Sequence, residues 1–272
     1  MTHALQAMRA IVWRELAKFG RQHGRLISAL VRPLLWLAVF AAGFRNVFGV
    51  AIVEPYDTYI PYDVYIAPGL IGMVLLFNGM QSSLAMVYDR EMGLMRLLLT
   101  APLPRAWILL SKLVATAVLS LAQAAAFVIV AALLGTGLPL WGPQTPMVLL
   151  AAVCAALMLG ALGLLLSVHI KQLENFAGTM NFVIFPMYFM STALYPLWKL
   201  EESGAQWVYR VAQFNPFTHA VEWLRFALYG KDAGISPYVV VGTLLACFAL
   251  ASWGYDPQRG FGALAKRGGG AP

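Results

Sequence analysis

The fold that the sequence predicts is all-α: a polytopic membrane protein of six transmembrane helices, with an N-terminal amphipathic interfacial helix and a short re-entrant or interfacial helix before the last span. Three observations predict it. Hydrophobic residues make up 60% of the 272 and charged residues only 11%, whereas a soluble domain carries about 45–50% and about 25%. The mean hydropathy is +0.71. The charges collect between apolar blocks, and no Asp, Glu, Lys or Arg occurs from Leu113 to Ile170. A crossing takes roughly 20 apolar residues for a hydrocarbon core of about 30 Å. That run must therefore fold back, and the chain has room for about six crossings. Disorder, collagen and a disulfide scaffold are excluded, and the composition argues against an ordinary soluble enzyme.

Residues 1–25 have helical period but do not span. Leu5, Met8, Val12, Leu16 and Phe19 share one face, and Arg14, Lys18, Arg21 and Arg25 fall on the other. Such a helix lies along the headgroups with its cations toward anionic lipid. It is no cleaved signal peptide, because its basic region is too long and the apolar block behind it is span-length. The first crossing is about Leu26–Phe44. It contains Pro33 and one awkward charge, Arg32, which can snorkel to the headgroups if it sits near the surface or else serve as a functional intramembrane charge. In the loop 45–65, Tyr56, Tyr59, Tyr62 and Tyr65 fit an interfacial aromatic belt, with a substrate-contacting strip as the second reading.

The second crossing is about Ile66–Val87. Gly135, Gly137, Pro139, Gly142, Pro143 and Pro146 form turns, so the third is about Trp107–Leu134 and the fourth about Met147–Val168. A polar hinge at 169–175 leads to the fifth, about Phe176–Tyr195, with a kink expected at Pro186. Residues 196–236 are mixed in polarity, and the sixth crossing is about Tyr238–Trp253. The domains are thus an elbow helix (1–25), a six-helix transmembrane domain (26–254) and a Gly-rich basic tail (255–272).

Orientation follows from the cations. Arg9, Arg14, Lys18, Arg21, Arg25, Arg90, Arg96, Arg105, Lys112, Lys171, Arg259, Lys266 and Arg267 fall on one side. Arg45, Lys199, Arg210, Arg225 and Lys231 fall on the other. The positive-inside rule puts both termini in the cytoplasm, of a bacterial-type inner membrane. The net charge of +7 accordingly speaks for anionic lipid as a partner, not nucleic acid, which would need its cations on a soluble face. Cys154 and Cys247 lie inside apolar stretches and read as small core side chains.

Sites for bond-making chemistry do not emerge. There is no G-x-x-x-x-G-K-[ST] loop, no H-E-x-x-H helix and no G-x-S-x-G elbow. The Glu201–Glu202 pair sits in a polar loop, and His3, His23, His169 and His219 are scattered without mutual spacing. Neither a catalytic nor a metal-binding residue is expected.

Two segments stand out. Tyr88–Arg105 joins a charged head to apolar Leu94, Met95, Leu97 and Leu98. It suits a short helix lying across a helix-to-helix turn and stopped by Pro102 and Pro104. A capped surface loop fits the composition equally. In the second segment Asn215 is a favoured N-cap and Pro216 a favoured first helical residue. Thr218, Glu222 and Arg225 line one face of that helix, and Phe217, Val221, Leu224 and Leu228 line the other. Glu222 and Arg225 are spaced to pair. Too short and charged to span, it should dip into the outer leaflet or lie on it.

Together these segments resemble the ABC-2 type permeases, the membrane subunits of a class of ABC exporters that includes nodulation-J-like, polysaccharide and drug export permeases. The family pattern E-x-G-x-x-x-x-L-L…P-L-x-R is matched by Glu91, Gly93, Leu98, Leu99, Pro102, Leu103 and Arg105, with Lys112 beyond. Its Asn-Pro motif with a later Arg is matched by Asn215, Pro216 and Arg225. Leu34-Leu35-Trp36, Gln172–Phe176 and Asn215–Ala220 resemble a narrower subgroup associated with gene clusters for quinoprotein alcohol oxidation.

The resemblance implies a homodimer joined to two cytoplasmic ABC ATPases, with ATP and Mg bound by those ATPases and no cofactor on this chain. It makes 88–105 the coupling segment, with Asp89, Arg90, Glu91, Gly93, Arg96, Pro102 and Arg105 as its functional residues. Glu91 and Arg96 would contact the ATPase, Gly93 would permit close approach, and Leu94 and Leu98 would anchor the segment. Asn215, Pro216, Thr218, His219, Glu222 and Arg225 would form the external helix. The implied activity is ATP-driven export of an amphiphilic or lipid-linked cargo. The residues by themselves leave open an ion-gradient-driven secondary transporter, a membrane-embedded enzyme or an assembly factor.

Overall fold

The computed structural model describes residues 2–21, 23–44, 54–93, 104–139, 141–170 and 172–255. In chain order the helices are α1 (Thr2–Gly20), α2 (His23–Phe44), α3 (Tyr62–Glu91), α4 (Arg105–Leu133), α5 (Thr145–His169), α6 (Leu173–Phe189), α7 (Leu197–Glu202), α8 (Gln206–Phe214), α9 (Pro216–Leu228) and α10 (Ser236–Gly254). No strand occurs among the described residues.

Helix α3 is the axis of the bundle. It packs against α2, α4, α5, α6 and α9 and is buried along most of its length. Its approach to α5 is close because small residues meet there. A Cβ on Gly79 would lie 3.1 Å from the Leu159 carbonyl, and one on Gly163 would strike Ser83. Small-residue contacts of this kind replace the hydrophobic drive that lipid removes between membrane helices. Large apolar side chains point outward elsewhere: Leu35 and Val39 on α2, Ile129 and Leu133 on α4, Phe182 and Phe185 on α6, and Leu245 and Leu250 on α10.

Helices α3, α4, α5 and α10 are long and apolar enough to cross a membrane, and they match the second, third, fourth and sixth expected crossings within a few residues. The chain is thus a multi-pass membrane protein. Helix α2 covers the expected first crossing with 22 residues, whereas α6, in the place of the fifth, has 17. Among the described residues the apolar stretch of α2 is Leu30–Val39, with Arg32 and Pro33 inside it. The fifth expected crossing differs most: its helix ends at Phe189, just after Pro186, and 190–195 is irregular yet buried from Ser191 to Leu194.

The elbow also differs from one helix over 1–25. Helix α1 stops at Gly20, a poor helix former, and His23 opens α2. Of its expected apolar face, Phe19 is buried and Met8, Val12 and Leu16 half-buried, but Leu5 is exposed. The tyrosine loop divides in the same way. Tyr59 is exposed, whereas Tyr56, Tyr62 and Tyr65 are buried in the core and form no belt. Residues 45–53, Lys171 and the tail beyond Tyr255 lie outside the described residues. Cys154 and Cys247 are both unpaired thiols.

Candidate functional site

At one end of the bundle three consecutive side chains leave α3 for three different places. Asp89 is buried and accepts a hydrogen bond from Lys112 Nζ on α4 at 3.0 Å. Lys18 and Arg14 of α1 each lie 3.7 Å from the same carboxylate. The Trp107 indole also donates to the Ala4 carbonyl, at 2.8 Å, so α1 is fastened both to α3, through Asp89, and to α4. Arg90 donates to the carbonyls of Ser167 (2.9 Å) and Ile170 (2.6 Å). These are C-terminal carbonyls of α5, where a helix leaves its last four acceptors without intrahelical partners and presents negative dipole. Glu91 accepts from the backbone N–H of Leu173 at 2.9 Å, at the start of α6, where the dipole is positive.

Gly93 has a φ of +71°. It closes α3 in the left-handed region that favours glycine, so its backbone alone demands that residue. A Cβ there would meet nothing within 4 Å. Tyr255, just beyond α10, is buried nearby. Burial pushes its phenol up, and Arg90 and Arg105 partly offset that.

At the other end, α9 is held from both sides. The Asn215 side-chain Oδ1 accepts from Phe217 N–H at 3.0 Å, capping the helix, and Pro216 takes the first turn. The Asn215 amide donates to the carbonyls of Met187 (2.7 Å) and Met190 (2.8 Å), closing the end of α6. Arg225 is 2% exposed. It pairs with Glu222, donates to Thr192 O at 2.8 Å and lies 4.2 Å from the centre of the Tyr65 ring. Tyr65 donates to Thr192 O (3.2 Å) and Tyr62 to Leu194 O (2.6 Å).

The irregular stretch after α6 therefore has its buried carbonyls satisfied by side chains, as non-helical backbone at membrane depth must. Helix packing finishes the enclosure: a Cβ on Gly69 would lie 2.7 Å from Ala193 Cα. His219 lies between Ser236 Oγ (3.2 Å) and Gln213 O (3.1 Å), and Thr218 is buried with its hydroxyl unpartnered.

Comparison with known proteins decides what such a bundle is. A sequence model of the ABC-2 type transporter family matches residues 6–229. The chain belongs to the ABC-2 type transporter family. It is 30% identical to the protein named "Putative transport permease ycf38" of Pyropia yezoensis over 259 residues, which cover 93% of this chain and 81% of that one. Its similarity to the proteins of that name from Porphyra purpurea and Cyanophora paradoxa is also 30%, covering 87% and 84% of this chain and 78% and 76% of theirs. An ABC-2 chain is a membrane subunit of an ABC transporter, a transport permease rather than a catalytic enzyme, and it normally pairs with an ABC ATPase.

Within this ABC-2 permease, Asp89 and Arg90 are turned into the bundle. Glu91 and Arg105 are exposed and Gly93 half-exposed. Arg96, Pro102, Leu94 and Leu98 lie outside the described residues. Helix α9 keeps its expected cap and its Glu222–Arg225 pair, but its polar face is not a surface. Thr218 and Arg225 are as buried as Phe217, Val221, Leu224 and Leu228, because the carbonyls of 190–195 need donors there.

Sequence reasoning missed the roles of Tyr62, Tyr65 and Asp89. Their partners lie 132, 127 and 23 residues away, and no local pattern marks such pairs. Among the described residues, no three His, Cys, Asp or Glu side chains group where they could hold a metal ion.

Proposed function

We propose that this chain is the membrane half of an ATP-driven exporter, and that the end of α3 with residues 88–105 seats in a groove of a separate cytoplasmic ATPase. The observation that carries the reading is the spread of Asp89, Arg90 and Glu91 to α1 and α4, to α5 and to α6. An ATPase can bias a permease only through contacts that differ between two states. A push delivered here reaches the ends of five helices through side chains already bonded to them. Asp89 and Arg90 transmit, while Glu91, Gly93, Arg96, Pro102 and Arg105 face the partner, which holds ATP and Mg.

In this reading α2 and α6 join α3, α4, α5 and α10 to make six crossings. Helix α1 lies along the headgroups, both termini are in the cytoplasm of an inner membrane, and α9 dips in from outside. Two copies form a homodimer whose path carries an amphiphilic or lipid-linked cargo. The outward apolar faces of α2, α6 and α10 support that pairing.

The test is purification of the tagged chain from its native membranes, with Glu91→Ala and Glu91→Gln beside it. An ABC ATPase should co-purify with the wild type and Glu91→Gln. Glu91→Ala should insert normally yet uncouple ATP hydrolysis from export, because it loses both the charge and the acceptor for Leu173 N–H. Glu91→Gln keeps the acceptor, so uncoupling by this variant too assigns the role to the charge. Recovery of the wild type without an ATPase, or labelling that puts residue 91 on the outer side, overturns the proposal.

A further inference from the structure

Three membrane-spanning helices meet at the end of the bundle where Arg90 bonds α5. Helix α4 begins there at Arg105, α5 ends at His169 and α10 ends at Gly254. A Cβ on Gly254 would lie 3.2 Å from Val168 and 3.4 Å from the His169 ring, so α5 and α10 stop at the same level. Between the three ends lies an open cavity of about 750 Å³, whose walls include Arg105, Leu165, His169, Leu250, Trp253 and Tyr255. Sites for small ligands span roughly 300–1,000 Å³.

The walls are graded in polarity. Arg105, His169 and Trp253 stand at the helix ends and are all exposed, Trp253 at 87%. An indole there sits at headgroup level. Leu165 and Leu250 lie about one turn deeper on α5 and α10, and Leu250 is 49% exposed. The cavity therefore offers polar groups at its mouth and apolar ones toward the hydrocarbon.

The charge has one sign. No carboxylate is among the described side chains that line the cavity. Arg90 brings a second cation close, since it and Arg105 both oppose the upward shift of the Tyr255 phenol. The negative pole of α5 is largely answered: Arg90 takes the Ser167 and Ile170 carbonyls, and His169 Nδ1 lies 2.9 Å from that of Leu165. The start of α4 adds positive dipole at Arg105. The tail 256–272 is mismatched to such a cavity, because Arg259, Lys266 and Arg267 outweigh Asp256. Basic pockets between spans at headgroup depth suit anionic lipid.

We propose that this cavity binds an anionic phospholipid from the leaflet at that end. Arg105 donates to the phosphate oxygens, and the acyl chains leave along Leu165 and Leu250. The inference deepens the exporter reading, since the lipid then borders the surface assigned to the ATPase, but the cavity holds it without that partner.

The test is direct binding to the purified, delipidated full chain in neutral detergent, with three probes: dioctanoyl phosphatidylglycerol, dioctanoyl phosphatidylcholine and free glycerol phosphate. Phosphatidylglycerol should bind the wild type saturably and tighter than phosphatidylcholine. Arg105→Gln should weaken it about tenfold or more, the usual worth of a charge-assisted hydrogen bond. Arg105→Lys keeps the charge and should lose less, which also controls for loss of fold. Arg210→Gln removes an exposed cation at the opposite end and should bind like the wild type.

Equal phosphatidylglycerol binding by wild type and Arg105→Gln overturns the site, as does an equal loss in Arg105→Gln and Arg210→Gln. Free glycerol phosphate binding as tightly as the lipid overturns the membrane source. Each of these is measured on the permease alone, so the cavity and the exporter reading, which rests on ATPase co-purification, fail separately.

Discussion

Replacing Asp89 by asparagine barely changes the side-chain volume and removes the negative charge that faces Lys112, Lys18 and Arg14. The Lys112 side chain is 8% exposed and that of Asp89 4%, so theirs is a buried pair. Removing one partner of such a pair costs about 3–5 kcal/mol, because the other charge stays behind uncompensated. Arg14 and Lys18 are 48% and 42% exposed, so each adds only about 0.2–1 kcal/mol. The new amide oxygen would still accept one hydrogen bond from Lys112, which places the total near the lower end, about 3 kcal/mol.

The assay is reversible unfolding in mixed micelles titrated with SDS, with hydrogen exchange over residues 2–20. Asp89→Asn should lower stability by that amount and speed exchange in α1. The double variant Asp89→Asn with Lys112→Met should return to within about 1 kcal/mol of the wild type, since replacing a whole buried pair by uncharged groups is often neutral. A single variant within about 0.5 kcal/mol of the wild type, or a double variant no more stable than the single, refutes the reasoning.

Other substitutions test the remaining joints. Arg90→Met removes two donors from the end of α5 and should cost about 2 kcal/mol, hydrogen bonds to charged groups being worth roughly 1.5–3. Faster exchange confined to the last turn of α5 checks it. Asn215→Ala loses the cap and both bonds to the α6 carbonyls and should cost about 2–3 kcal/mol by the same titration. Asn215→Asp keeps the cap but faces those carbonyls with a carboxylate, so it should be at least as harmful. Gly69→Ala drives a methyl into the Ala193 backbone and should cost about 1–3 kcal/mol, read as a lowered unfolding midpoint.

Local signals carried far in this chain. The Asn215-Pro216 start of α9, the turn-formers between α4 and α5, and the charge-free run through Ile170 specify structure within a few residues of themselves, and all three are realised. What the sequence could not show is where buried backbone finds its partners. Extending the fifth crossing to Tyr195 follows apolar character alone. The helix ends at Phe189, where donors from α3 and from Asn215 and Arg225 take up the carbonyls beyond it.

The tyrosines and Arg225 are the other half of that bargain. Tyr62 and Tyr65 look interfacial one at a time, yet they are buried because carbonyls 132 and 127 residues away require them. The end of α3 applies the same rule in reverse: Arg90 and Glu91 answer to an exposed C-terminus and an exposed N-terminus of opposite dipole. At both ends of α3, then, a polar side chain in an apolar bundle is fixed by the nearest unsatisfied helix end. Arg32 stands apart: its guanidinium stacks 3.9 Å from the centre of the Phe77 ring, halfway along α3, where no helix end lies near enough to use it.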